Sequence, residues 1–138
     1  MHIEIENPGD EAYATLNQRL LAFNRDQRPQ VGWRTDDVFT VVLSDEDGKV
    51  RGGGRGVVRM GAVELRGLWM DEAIRHQGWG EKIVRAVEGE GRKRGARAIL
   101  LDTYEFQARA FYEKLGYTCF ATFDFPDGVR RYYMTRAL

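Results

Sequence analysis

Hydrophobic residues in this 138-residue chain alternate with polar ones in some stretches and recur every three or four positions in others. Ile3 and Ile5 alternate with Glu4 and Glu6, which predicts a short strand ended by Pro8-Gly9. Asp10 is placed to cap a helix whose apolar positions are Tyr13, Leu16, Leu20 and Phe23. Arg25 to Gly32 is polar, contains Pro29 and reads as a loop. Val38 to Leu43 is β-branched and aromatic, hence a strand. The turn Asp45-Glu46-Asp47-Gly48 leads to a strand from Val50 through Gly52-Gly53-Gly54 to Val58, where glycine marks a bulge or a close backbone approach. A break at Met60-Gly61 precedes a third strand of this meander, Val63 to Met70.

The period then changes. Gly78 and Gly80 precede a helix with Ile83, Val84 and Val87 on one side, basic residues Arg92, Lys93 and Arg94 in its last turn, and Gly95 at its end. Ala98 to Leu101 is a short apolar strand, Gln107 to Leu115 a second late helix closed by Gly116, and Tyr117 to Phe125 and Arg130 to Met134 two final strands joined at Pro126-Asp127-Gly128. The order is β-α-β-β-β-α-β-α-β-β. The strand ending at Met70, the helix after it and the strand at Ala98 form a crossover, so those two strands are expected to be parallel while the ends of the sheet are antiparallel. The expectation is a single α+β domain over residues 1–138, since no repeat, low-complexity tract or linker divides the chain.

Composition narrows the classes of function. Lys plus Arg and Asp plus Glu both number 21, so no basic excess points to nucleic acid, and no apolar run approaches a membrane span. The N-terminal Met1-His2-Ile3-Glu4 lacks the basic and apolar regions of a signal peptide, and the single cysteine, Cys119, has no partner for an internal disulfide. A cytoplasmic protein is expected.

Arg75-His76-Gln77-Gly78-Trp79-Gly80 joins a strand to a helix. The unpaired N–H groups and positive dipole end of a first helical turn make an anion site, and glycines let a phosphate approach the backbone. The same two glycines would also serve a tight turn with no ligand. A P-loop is excluded because Glu81 follows Gly80, and a dinucleotide fingerprint is excluded because position 83 is Ile. No metal site is expected.

Leu68-Trp69-Met70, the glycine turn and the run Phe106-Gln107-Ala108-Arg109-Ala110-Phe111-Tyr112-Glu113-Lys114-Leu115-Gly116-Tyr117 together resemble the GCN5-related N-acetyltransferase (GNAT) family, from about Val38 to the C-terminus. The resemblance implies a mixed, mostly antiparallel sheet flanked by helices, with a central parallel pair of strands that splays apart near a bulge. It implies that acetyl-CoA lies in the gap. The backbone of Leu68 and Met70 would pair with the pantetheine arm, and the amides from Gln77 to Glu81 would hold the pyrophosphate. Arg75 and His76 would add charge, with Trp69, Trp79 and Phe111 in the same site. Many relatives carry an Asn where this chain has Glu105; Gln107 offers an amide for the same contact.

Tyr112 matches the family tyrosine near the cofactor sulfur, which implies a proton donor to the leaving thiolate; its place in an apolar stripe with Phe111 and Leu115 also suits a core tyrosine. Glu64 is the candidate base by analogy with histone-type relatives, and an exposed strand glutamate is the other reading. Cys119 reads as a small buried hydrophobe rather than a nucleophile. The acceptor, a small-molecule or peptide amine, is expected between the segment Phe23 to Trp33 and the turn Phe125 to Arg131, near Trp33, Arg34, Asp36, Asp37, Asp124 and Asp127. A homodimer is implied by resemblance. The alternatives are an acyl-CoA-binding or sensing module without turnover and, more distantly, a transferase acting on aminoacyl-tRNA.

Overall fold

The computed structural model describes residues 1–3, 5, 9, 11–33 and 37–138. They divide into two compact units, Met1–Trp33 and Arg34–Leu138. The first contains α1 (Glu11–Gln27), which runs three residues into the expected loop before the chain turns. Ile3 and Ile5 do not form a strand, because two alternating apolar residues without a hydrogen-bonding neighbour do not specify a ladder. Glu4, Glu6 and the expected cap Asp10 lie outside the described residues.

The second unit is a six-stranded sheet in the order β1-β2-β3-β4-β6-β5. Its strands are β1 (Asp37–Ser44), β2 (Val50–Arg59), β3 (Ala62–Met70), β4 (Ala98–Tyr104), β5 (Thr118–Asp124) and β6 (Arg130–Ala137). All neighbours are antiparallel except β3 and β4. The crossover between those two is α2 (Trp79–Lys93), entered through a short 3-10 turn, Glu72–Ile74, that periodicity does not reveal. A second helix, α3 (Arg109–Lys114), is only six residues long and starts two residues later than the sequence suggests.

The core lies between α2 and the sheet. Val63, Val84, Val87, Ile99 and Met134 are fully buried there. Alternation along β3 puts Val63 and Leu65 inward, and burying such side chains contributes about 1.5–3 kcal/mol each. The glycine run in β2 allows close packing on both sides. A Cβ on Gly54 would lie 3.0 Å from Leu65 Cδ1, and one on Gly53 would lie 2.4 Å from the Val41 carbonyl oxygen of β1. Gly53→Ala therefore forces β1 away from β2. A loss of about 2–3 kcal/mol is expected in urea unfolding, as for other overpacked sites; an unchanged midpoint would mean that the strands separate without cost.

Two features open the sheet at its centre. β3 and β4 pair only from Ala62↔Ala98 to Leu65↔Leu101. One residue later the β2–β3 register slips, with Arg55 opposite Arg66 and Gly54 opposite Leu68. Gly67 is the extra residue, and its φ of 65° is one that glycine adopts readily. The bulge turns Leu68, Trp69 and Met70 away from β4.

Candidate active site

The splay leads into a cavity of about 1020 Å³ lined by residues of the second unit. The C-terminal ends of both parallel strands contribute, Leu68 to Met70 from β3 and Asp102 to Tyr104 from β4. Arg75, His76, Gly78, Gly80 and Glu81 line one end, and Gln107, Phe111 and Tyr112 line it from α3 and the turn before it. Most of the residues singled out in the sequence are thus brought to one place. Gln77, Trp79 and Glu64 are not among the lining side chains.

The end of the cleft at the start of α2 is built by local sequence. Gly78 caps α2 with φ 81°, and no side chain caps the helix. Lys82 N–H donates to Gly78 O at 3.3 Å, so the N–H groups of the first turn, before Lys82, lack intrahelical partners. A Cβ on Gly78 would meet nothing within 4 Å, so the space in front of the turn is open. Gly80 has a different reason: a Cβ there would approach Met70 Cε to 3.1 Å and Phe111 Cζ to 3.3 Å. His76 holds a φ of 62°, a conformation unfavourable for a non-glycine residue by about 1 kcal/mol. Arg75 is anchored rather than free: its Nε donates to Met70 O at 3.2 Å and its Nη1 to Glu72 Oε1 at 3.4 Å. Gln77 Nε2 donates to Ala73 O at 3.1 Å, and Lys82 Nζ sits 4.0 Å over the Trp79 ring.

The turn before α3 is organised by two side chains. Gln107 Oε1 accepts from Tyr104 N–H at 2.8 Å and from Thr103 Oγ1 at 3.2 Å. The backbone donor identifies which amide atom is oxygen, so the Nε2 donor is the end left for a ligand.

Tyr112 is buried, and its ring meets Phe111 edge-on at 5.0 Å and Tyr117 at 5.7 Å. Burial, with a contribution from the Asp102 charge, pushes its phenol up to about 12, so it is protonated at neutral pH. Behind it lies a buried ionic cluster that the sequence does not reveal. Glu88 of α2 accepts from Arg136 Nη1 at 2.8 Å, Tyr117 Oη at 2.9 Å and Arg85 Nη1 at 3.1 Å. Burial raises the carboxyl, but hydrogen bonds from Arg136, Tyr117 and Arg85 outweigh it and hold Glu88 below the usual carboxylate range.

Glu64 points to the sheet face opposite Val63 and α2, and its Oε2 accepts from Arg66 Nη2 at 2.7 Å. Asp102 shares that face and does line the cavity. Its signal in the sequence is an acid directly after the apolar Ala98-Ile99-Leu100-Leu101, at the C-terminal end of a parallel strand, where ligands of such sheets gather. Two of the acids expected around the acceptor are paired with arginines. Asp37 pairs with Arg94 at 2.5 Å and Asp124 with Arg130 at 2.5 Å. Arg34 and Asp36 lie outside the described residues, and Trp33 belongs to the first unit, where its Nε1 donates to Arg28 O at 2.9 Å. Cys119 is half-buried and its Sγ lies 3.4 Å from Ala121 O at a bulge in β5.

The sequence pattern of the Acetyltransferase (GNAT) family matches residues 5–117. The chain belongs to this family. A blasticidin-S acetyltransferase of Streptomyces morookaense is 28% identical over 112 residues, which is 80% of this chain and 82% of that protein. An acetyltransferase of Agrobacterium fabrum is 30% identical over 108 residues, 78% of this chain and 77% of the relative. The crystal structure of an acetyltransferase from Bacillus cereus superposes with a TM-score of 0.85 at 29% identity, covering 100% of this chain and 98% of that one. The chain is therefore an acyltransferase with the GNAT fold, and acetyltransferases of this family generally use acetyl-CoA. Among the described residues no helix is long and apolar enough to cross a membrane.

Proposed function

We propose that this GNAT acetyltransferase moves an acetyl group from acetyl-CoA to a primary amine of a small molecule or peptide by direct attack. One observation carries this: a single cleft at the β3–β4 splay has open helix N–H groups at one end and a buried protonated phenol inside. Similarity to an enzyme named for blasticidin-S supports a small-molecule acceptor.

When bound, acetyl-CoA supplies a thioester carbonyl that an unprotonated amine attacks. The first-turn amides of α2 hold the pyrophosphate, and the helix dipole favours its charge. Leu68 and Met70, turned off β4 by the Gly67 bulge, offer backbone groups to the pantetheine arm. Gln107 Nε2 is the amide donor in place of the asparagine found in relatives. The Tyr112 hydroxyl donates to the sulfur as negative charge gathers there. A phenol pushed up to about 12 by burial is a weaker acid than an alkyl thiol, so full transfer of the phenolic proton to the thiolate is uphill. Tyr112 thus acts mainly as a hydrogen-bond donor, and the proton released by the amine ends on the thiol through solvent.

Release of free thiol from acetyl-CoA on addition of an amine tests the proposal. Tight acetyl-CoA binding without turnover across a broad amine panel would instead make the chain an acyl-CoA-binding module. Gly78→Glu tests the anion end. Its carboxylate would stand in the open space before α2, and acetyl-CoA affinity is expected to fall at least about 30-fold by calorimetry, the effect of about 2 kcal/mol. Gly78→Asn, whose side chain tolerates a positive φ, is expected to keep the affinity within about threefold. Equal affinities for the two variants would move the pyrophosphate elsewhere.

A further inference from the structure

The cleft has a second wall that the transfer chemistry does not use. Asp102 is the first β4 residue beyond the last β3–β4 pair, so its side chain lies at the splay. Tyr104 and Phe106 continue the lining from there. Their rings stack face to face, 5.5 Å apart and 5° from parallel, yet Phe106 is 70% exposed. Phe123 and Phe125 extend the same surface, meeting edge-on at 4.9 Å. Arg131 of β6 lies beneath it, 4.7 Å from the Tyr104 ring and 5.3 Å from the Phe125 ring, and its Nε stands 3.2 Å from Asp102 Oδ2.

Leaving several aromatic faces in water beside a deep cavity is unfavourable unless something covers them, and such patches mark ligand sites. The chemistry here is specific. Ring faces stack on other planar rings. The Asp102–Arg131 pair is neutral overall, so it does not select a bare cation. Arg131 Nε approaches Oδ2 without making a hydrogen bond, so the Asp102 carboxylate keeps its acceptor capacity for an N–H from a neutral amine whose lone pair stays free to attack. Glu81 is the other carboxylate of the lining among the described residues; it lies at the anion end and pairs with Arg85 at 3.5 Å.

We infer that the acceptor is a primary amine carried on a planar aromatic or heteroaromatic ring, with the ring on the Tyr104–Phe106 face and the amine directed by Asp102. This rests on the acetyltransfer proposed above and adds the class of acceptor and the residues that select it.

The test compares tryptamine and phenethylamine with n-butylamine and cyclohexylmethylamine. Thiol release gives kcat and KM, and calorimetry without acetyl-CoA gives amine binding. The wild type is expected to prefer the ring amines by at least about tenfold in kcat/KM, the worth of one aromatic stack. Phe106→Ala should raise KM for ring amines about tenfold, leave kcat and the aliphatic amines unchanged, and leave the acetyl-CoA Kd within about twofold. Asp102→Asn should lower kcat/KM for both classes. The inference is overturned if the wild type shows no ring preference, or if Phe106→Ala weakens acetyl-CoA instead of the amine. If no amine is turned over, the acetyltransfer proposal fails, and calorimetry still decides the subsite: tryptamine must bind the wild type and lose that binding in Phe106→Ala.

Discussion

Tyr112→Phe is expected to lower kcat about 100-fold while leaving the acetyl-CoA Kd and the unfolding midpoint almost unchanged. The variant keeps the ring, so the edge contacts with Phe111 and Tyr117 persist. It removes only the hydroxyl. A positioned donor to a developing charge in a site sheltered from water accounts for about 10²–10³ in rate, and general acids for a similar range. Pre-steady-state thiol release is the measurement, because it isolates the chemical step from product release. An unchanged single-turnover rate would remove Tyr112 from the chemistry and leave it as a core residue. The phenol also carries a sign for stability. Its folded value, about 12, lies above the ordinary value of 10.0, so folding favours the protonated form. The stability this represents is complete below about pH 10 and is lost as pH rises toward about 12. Tyr112→Phe should therefore flatten the alkaline fall in stability.

Glu88→Ala has the largest expected effect on folding. The carboxylate joins α2 to Arg136 of β6 and to Tyr117, whose N–H donates to the Tyr112 carbonyl at 3.0 Å. Arg85 Nη2 also donates to Leu115 O at 3.4 Å, which anchors the end of α3. A helix of six residues does not hold its shape alone, so these ties keep α3 in place. Removing one partner of a buried charge cluster typically costs 3–5 kcal/mol. Both arginines reach solvent in part, with side chains 37% and 30% exposed, so the lower end, about 3 kcal/mol, is expected. In a chain of this size that is roughly a 10 °C fall in Tm. A fall below about 2 °C would show that the arginines find water without cost. The pH dependence runs opposite to that of Tyr112. The Glu88 carboxyl is held below its ordinary value, so its contribution is present above that value and lost as pH falls through the folded one. Acid unfolding of the wild type should be steeper than that of Glu88→Gln.

Much of this molecule was legible in one dimension because its signals are local. β-Branched and aromatic runs between turn signals gave β1, β2 and β3, the 3.6 period gave α2, and glycines marked the turns between them, whereas the alternation of Ile3 and Ile5 did not make a strand. The parallel relation of β3 and β4 followed from a crossover helix, whose geometry does not depend on what it packs against. The open N–H groups at the start of α2 were readable for the same reason, since a glycine-capped first turn leaves them unpaired wherever the helix sits.

Tertiary structure decided what depends on residues distant in sequence. Glu64 and Asp102 are both single acids beside apolar strand residues, and only the point where the strands part distinguishes them. That point is set by the Gly67 bulge and the short β3–β4 register. Glu88 looks like any charged helix position until Arg136, 48 residues away, and Tyr117, 29 residues away, close on it. Asp37 and Asp124 look available to an acceptor until Arg94 and Arg130 are found beside them. By itself the sequence determined the strands and helices from Asp37 onward, the family and the glycine-capped turn before α2, which are properties of short stretches, but not the absence of a strand at Ile3 and Ile5 or the 3-10 turn Glu72–Ile74. Which carboxylate faces the cleft, which are neutralised and what holds the phenol in place were decided by the sheet, because electrostatic partners are fixed by position in space rather than order along the chain.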